Sequence, residues 1–490
     1  MKISIVLGLM SLIGCGLAKA TPVTDVNLTL DPTTVVSTGY IGNGVQWDPY
    51  QLDYGHGRMS ISDSDRDKIY RRLDFMRPQF IRVMINTTSM VEKGRLNPDK
   101  NPGYLSMILD YCRSRGVTVM FGDWGGGLVN SKTGKVNLKL ITHAVDYLKY
   151  LIEEKGYDCI RYYNFVNEPN GYWSSTDGDF KLWAEGMKAF YKELSSKGMA
   201  SKVALVGPDA AIWDTKETWW VSRAATELGD RVGLYDIHTY PSKYTVNSDE
   251  YFDIVKAYRD AAPADRKIVM GEIGLKYVHP VDSALNKENI RRAQSRRYAS
   301  VDDSQMSVYD FSYGIDMPDA LIQTANAGYS GSVAWMLDDA MHCKEERDRL
   351  KIWGFWNIFG EEFFGAEQEN VRPWYYSWSL MCRNMPRGCN VLSTTVDSGK
   401  GVKTLLVEKD GRYALMMLNS GKDTVNVSVK SNGNFGIDSA KVYLYEEKML
   451  EYVVVDEVIQ PVSQGVSIGF NDKSSFLLPP SSLTLITNLE

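Results

Sequence analysis

Cysteine and histidine are scarce in this chain. Six cysteines in 490 residues cannot staple a disulfide framework. Only Cys382 and Cys389 lie close enough to close a small loop in an oxidising compartment, and the sequence leaves their pairing open. Five histidines, none in a His-x-His or His-Glu-x-x-His arrangement, argue against a metal-dependent hydrolase or phosphoesterase. Neither charge dominates: 55 Lys and Arg against 61 Asp and Glu give −6 at pH 7, with no basic segment, which argues against a nucleic-acid partner. Beyond the N-terminus no apolar run reaches the roughly 18 residues of a membrane helix. What is present is a chain 44% apolar and 11% aromatic, long enough for one large domain or two. That composition excludes disorder, collagen and a disulfide-stapled miniprotein.

The first residues read as an address. Met1-Lys2 is a short basic stretch, and Ile3 to Leu17 is too short to span a bilayer but suits a signal-peptide core, so residues 1–20 are expected to direct export. Two processing patterns overlap. Ala18-Lys19-Ala20 fits ordinary signal cleavage, whereas Leu12-Ile13-Gly14-Cys15 resembles a bacterial lipobox, the preferred reading, which would tether the protein to a membrane through a lipidated Cys15. The expected location is a bacterial cell surface or periplasm, or the medium.

Runs rich in Val, Ile, Tyr and Phe recur at Tyr40 to Trp47, Phe80 to Ile85, Val117 to Trp124, Arg161 to Val166, Val203 to Val206, Leu234 to His238, Lys267 to Met270 and Gly331 to Leu337. Stretches of helical periodicity lie between them: Ser62 to Arg77, Leu105 to Arg115, Val145 to Glu154, Phe180 to Ser196, Asp249 to Ala262 and Lys287 to Ser307. Such alternation implies parallel strands joined by right-handed crossovers. Eight units fit a (β/α)8 TIM barrel over residues 37–385. A doubly wound sheet fits less well, because no Gly-x-Gly-x-x-Gly turn follows the first strand. After Asn390 short strands split by Gly, Asn, Asp and Ser predict a β-sandwich over residues 386–490. Residues 22–36 are expected to add a strand through the Val26-x-Leu28-x-Leu30 alternation. All twelve tryptophans fall between Trp47 and Trp378, so the aromatic surface belongs to the barrel.

In a barrel of this kind the strand C-termini form the active face. Two glutamates close apolar strands: Glu168 in Tyr162-Tyr163-Asn164-Phe165-Val166-Asn167-Glu168-Pro169-Asn170, and Glu272 in Ile268-Val269-Met270-Gly271-Glu272-Ile273-Gly274. A carboxylate following a buried strand loses water, which raises its pKa and is unfavourable without a partner or a task. Cleaving a glycosidic bond uses such a pair, one group to protonate the leaving oxygen and one to attack or to activate water.

On these residues the sequence resembles the clan A glycoside hydrolases, retaining barrel enzymes with Asn-Glu closing strand four and Glu closing strand seven. The Asn-Glu-Pro-Asn wording and the trailing sandwich are most similar to families 39, 5 and 30. The resemblance spans roughly residues 40 to 340 and rests on strand order. It implies Glu168 as acid/base, Glu272 as nucleophile, Arg82 supporting the nucleophile, and Asn167, His238, Tyr240 and Trp335 lining the sugar site. Trp124, Asp123 and Trp47, at the ends of the third and first strands, complete the expected substrate-binding set. Trp213, Trp219 and Trp220 are candidates for further subsites, although Trp219 and Trp220 also read as helix core. Asp338, Asp339 and His342 could be drawn as a metal site, but a substrate-lining loop without metal fits better, and no cofactor is expected. The expected activity is retaining hydrolysis of a β-linked oligosaccharide or polysaccharide, with the two carboxyls about 5 to 5.5 Å apart rather than roughly 9 Å. The alternative is a catalytically inactive carbohydrate-binding protein on the same barrel.

Overall fold

The computed structural model describes residues 23–489 except 56, 345–348, 398–400, 434, 464–467 and 472–473. The expected signal segment with Cys15 lies outside the described residues. Strand β1 (Val23–Ser37) is followed by eight barrel strands: β2 (Gly44–Gln46), β3 (Phe80–Ile85), β4 (Thr118–Asp123), β5 (Ile160–Asn164), β6 (Ala204–Ile212), β7 (Val232–Thr239), β8 (Ile268–Ile273) and β9 (Ser332–Ala334). All pair in parallel and in chain order, and β9 returns to β2 to close the barrel.

The interior changes character along the strands. Ile41, Phe80, Met120, Val206, Leu234, Val269 and Val333 form a separate apolar cluster, packed by Tyr162, near the strand starts. Two residues on, where the pleat returns to the same face, Phe80 gives way to Arg82, Tyr162 to Asn164 and Leu234 to Asp236, all wholly buried. The barrel is thus closed by hydrocarbon at its floor and lined by polar groups towards its mouth. Gly271 belongs to this change: a Cβ there would lie 2.0 Å from Oδ2 of Asp236, whose Oδ1 accepts from the Gly271 N–H at 2.6 Å.

Helices cover the outside. Leu105–Arg115 and Phe180–Ser196 have the bounds their periodicity predicts. The third helix begins earlier than expected, at Leu138, because the Asn137 side chain accepts from Leu140 N–H and caps it. The expected helix Lys287 to Ser307 is shortened to Ser283–Ser295, and a helix that was not expected, Tyr313–Asn326, follows it. The latter is buried on every side, so it has no polar face to announce it, and Pro318 lies within it.

Strands β10 (Asn390–Val396), β11 (Val402–Lys409), β12 (Arg412–Asn419), β13 (Thr424–Ser431), β14 (Gly436–Tyr445), β15 (Ile468–Asn471), β16 (Ser475–Leu478) and β17 (Ser482–Thr487) build the C-terminal sandwich. β1 lies inside it, antiparallel to β10 and parallel to β13. Its alternate residues Val26, Leu28 and Leu30 enter a second apolar core with Leu406, Leu415, Val427 and Ile486. The opposite face of β11 and β12, including Leu405, Val407, Ala414 and Met416, joins the barrel core instead. Polar ties reinforce that seam: Lys403 sits 3.2 Å from Asp319 and 2.8 Å from Asp249, and Tyr445 stacks on Phe311. Cys382 and Cys389 are both buried and free.

Candidate active site

Glu272 is the next-to-last residue of β8 and is 4% exposed. Its Oε2 accepts from Arg82 Nη1 at 2.9 Å, and its Oε1 takes the hydroxyl of Tyr240, from the turn after β7. Arg82 is the hub of the floor beneath it. Its other contacts are Gln46 Oε1 at 2.9 Å, Asn167 Oδ1 at 2.7 Å and Asp209 Oδ2 at 3.2 Å. A planar guanidinium can serve several oxygens at once in fixed directions, which a lysine could not.

Glu168 follows β5 and stands at the mouth, its side chain 12% exposed. Its backbone is left-handed, with φ 47°, and its N–H donates to Asp209 Oδ2 at 3.3 Å. Oε2 accepts from the Trp173 indole N–H at 2.6 Å, and Oε1 lies 3.2 Å from His238 Nδ1. One oxygen of Glu168, one of Glu272 and a ring nitrogen of His238 all fall within 4.8 Å of one another. The two carboxylates therefore face a common space.

The charges are balanced below that space. Burial alone would lower the His238 pKa, but Asp209, with Nε2 to Oδ1 of 2.8 Å, and Glu272 outweigh it and hold the ring well above the usual histidine value. Burial opposes ionisation of Asp209 too, yet His238 and Arg82 keep it below the ordinary carboxylate range. Burial, and Asp209 beside it, push Asp236 well above that range. Burial raises Glu272; His238 and Arg82 oppose the rise, Glu168 adds to it, and Tyr240 lowers it through its hydrogen bond. The phenol of Tyr240 is raised far out of range by burial and by both glutamates, so it stays a donor.

Trp335, at the end of β9, is 7% exposed and stacks on His342, with centroids 5.2 Å apart. Trp124 meets both rings edge-on and lies over Arg82. Arg82, Asn167, Glu168, His238, Tyr240, Glu272, Trp335 and Trp124 are thus brought together. Two expected members are not. Trp47 is wholly buried on the outer side of β2 and donates to Tyr50, because the pleat turns its neighbour Gln46 inward instead. Asp123 is wholly buried, and both its oxygens accept backbone N–H groups, of Thr87 and Gly125 at 2.6 Å each. It holds the turn that carries Trp124. Trp220 is core beside Phe180 and Trp183, and Trp219 stays 41% exposed on the same helix.

Three contributors were not marked by the sequence: Asp209, Gln46 and Trp173. Within β6 the triplet Gly207-Pro208-Asp209 interrupts the apolar run, and the register shifts after Pro208; that was the available signal for the first. The loop after β9 is tied down by its own acids. Asp338 accepts from Trp356 Nε1, Ala340 N and Ile358 N, Asp339 pairs with Arg372, and His342 lies 2.7 Å from Asp48. Those three do not converge on a cation. Two other triplets have ligand atoms close together, Glu168–His238–Glu272 and Asp209–Asp236–His238. Both share His238.

No family model and no curated protein matches the sequence. Solved structures do match over nearly the whole chain. A glycoside hydrolase family 30 subfamily 8 xylanase, Xyn30A, from Clostridium acetobutylicum has a TM-score of 0.60 at 13% identity, covering 94% of this chain and 99% of that one. An α-L-arabinofuranosidase from Thermotoga maritima gives 0.60 at 14%, and a GH39 β-xylosidase from Caulobacter crescentus 0.56 at 13%, each with the same coverage. The barrel with its sandwich is therefore a fold that this chain shares with the solved xylanase, arabinofuranosidase and β-xylosidase.

Proposed function

We propose that this chain is a retaining β-glycosidase that hydrolyses β-linked glycans by double displacement. Glu272 attacks the anomeric carbon as the glycosidic C–O bond breaks, and Glu168 gives its proton to the departing oxygen. Glu168 then takes a proton from water, which attacks the same carbon and frees Glu272. The observation that carries this reading is the unequal setting of two carboxylates with oxygens within 4.8 Å: one buried against Arg82 and Tyr240, the other at the mouth against His238 and Trp173. Inverting enzymes leave roughly 6.5 to 9.5 Å between the carboxyls to admit water. The buried group has what a nucleophile needs, a cation and a phenol that favour its ionised form. The indole and histidine N–H groups steer the second.

The test uses Glu168→Ala and Glu272→Ala with azide on aryl β-glycosides. Azide is expected to rescue Glu272→Ala with an inverted glycosyl azide and Glu168→Ala with the retained one. Activity surviving both substitutions would falsify the assignment, and a parent that binds glycans but cleaves none would favour the carbohydrate-binding alternative. Residues 1–20 fit export with acylation at Cys15; a parent that takes up no labelled palmitate, or label that persists in Cys15→Ser, would exclude acylation at Cys15.

A further inference from the structure

The loop after β5 and the loop after β6 hold three aromatic rings that no core claims. Tyr172 is 83% exposed, Trp173 47% and Trp213 49%. Their rings meet edge to face, Tyr172 to Trp173 at 4.9 Å and Trp173 to Trp213 at 5.9 Å. Leaving that much aromatic surface wet is unfavourable by roughly 25 cal/mol per Å², and clustered exposed apolar groups with a polar rim mark binding surfaces.

The cluster is fixed in place. The Asn170 side chain donates to Ala211 O at 2.7 Å and accepts from Ala211 N at 2.9 Å, which ties the first loop to the end of β6, where the second begins. Gly171 lies directly under the Trp173 ring, where a Cβ would come within 2.3 Å of it. Between the loops is a cavity of about 260 Å³ lined by Trp173 and Trp213 and rimmed by Asp214, Lys216 and Glu217. That is just below the roughly 300 to 1,000 Å³ of sites that enclose a drug-sized ligand. Flat apolar walls with charged hydrogen-bonding groups at the edge are what a pyranose presents surfaces for, its C–H face to the ring and its hydroxyls to the rim.

Position then decides which sugar. The acid of a glycosidase must stand beside the departing oxygen, and the Trp173 indole N–H is on Oε2 of Glu168 itself. We propose that Tyr172, Trp173 and Trp213 form the leaving-group subsite, which takes a pyranose joined through the scissile oxygen, so that the substrate is an oligosaccharide or polysaccharide rather than an aryl or alkyl glycoside. This rests on the glycosidase reading above. An indole N–H only donates, so Trp173 also orients Oε2 of Glu168 beside the departing oxygen.

Xylotetraose and 4-nitrophenyl β-xyloside, or the matching pair for the sugar the parent prefers, separate the two sides of the site. Trp213 touches neither glutamate and is half exposed, so Trp213→Ala and Trp213→Phe test the wall without unfolding the barrel. Trp213→Ala is expected to lower the ratio of kcat/KM on oligosaccharide to that on aryl glycoside by about tenfold or more, mostly through KM, with Trp213→Phe recovering most of it. A ratio in Trp213→Ala within about twofold of the parent overturns the subsite. Should the parent cleave neither compound of any pair, the glycosidase reading fails, and titration of the oligosaccharides by tryptophan fluorescence judges the wall alone. A saturable response weakened about tenfold in Trp213→Ala supports it, and equal responses or none overturn it.

Discussion

Tyr240 gives its hydroxyl to Oε1 of Glu272, the oxygen that Arg82 leaves free. The buried carboxylate thus has each oxygen held from a different strand end, and burial, which raises its pKa, is partly offset by these donors. A hydrogen bond to a charged group contributes about 1.5 to 3 kcal/mol.

Tyr240→Phe removes the donor that favours the ionised nucleophile. Its folded-state pKa moves up, and since glycosylation needs the ionised form, the acid limb of the kcat/KM profile shifts to higher pH. At about 1.4 kcal/mol per unit the expected shift is one to two pH units. An unmoved acid limb would remove Tyr240 from this role.

Glu168→Gln keeps the volume but cannot give a proton. On an oligosaccharide kcat/KM is expected to fall about 10²- to 10⁴-fold, whereas a dinitrophenyl glycoside, whose leaving group needs no proton, loses far less in its first step. The two are compared by burst kinetics; equal losses would speak against an acid.

Asp123 is pushed up to about 6 by burial, despite the backbone donors on both oxygens. Because the folded value lies above the unfolded one, its contribution is fully present below about pH 4 and is lost as pH rises through about 6. The difference in unfolding free energy between the parent and Asp123→Asn is therefore expected to shrink by about 3 kcal/mol between pH 4 and pH 7. Urea unfolding at the two pH values measures it, and a constant difference would contradict the buried setting.

Cys112, Cys159, Cys382 and Cys389 are buried and free, and burial raises the pKa of each. Thiol reagents are expected to react with them only after unfolding, and dithiothreitol should leave the thermal midpoint unchanged. A midpoint that drops with reductant would mean that Cys382 and Cys389 pair after all.

Period and burial made much of this molecule legible. β3 and the helix Phe180–Ser196 stand where their patterns put them, because one is buried on both faces and the other on one. The helix Tyr313–Asn326 was invisible for the opposite reason, since a helix sunk on all sides has no stripe to read. At the site, strand ends located Glu168 and Glu272, but they did not say which face of the pleat a neighbour takes. Gln46 faces Arg82 while Trp47 faces the helices, and the sequence offers both equally. Trp173 is brought to Glu168 by the loop rather than by any strand, so only the folded turn reveals it.

The place of β1 governs the order in which the protein can be completed. Val26 pairs across to Val427, and Leu28 to Val396 and Val429, partners that leave the ribosome nearly four hundred residues later. The opening segment must wait, unpaired, while the barrel is made, and contacts so distant along the chain close slowly. The sandwich is therefore no detachable tail but a clasp whose two parts lie on either side of the barrel along the chain. Any membrane tether upstream of Val23 would pull on the clasp, not on the barrel.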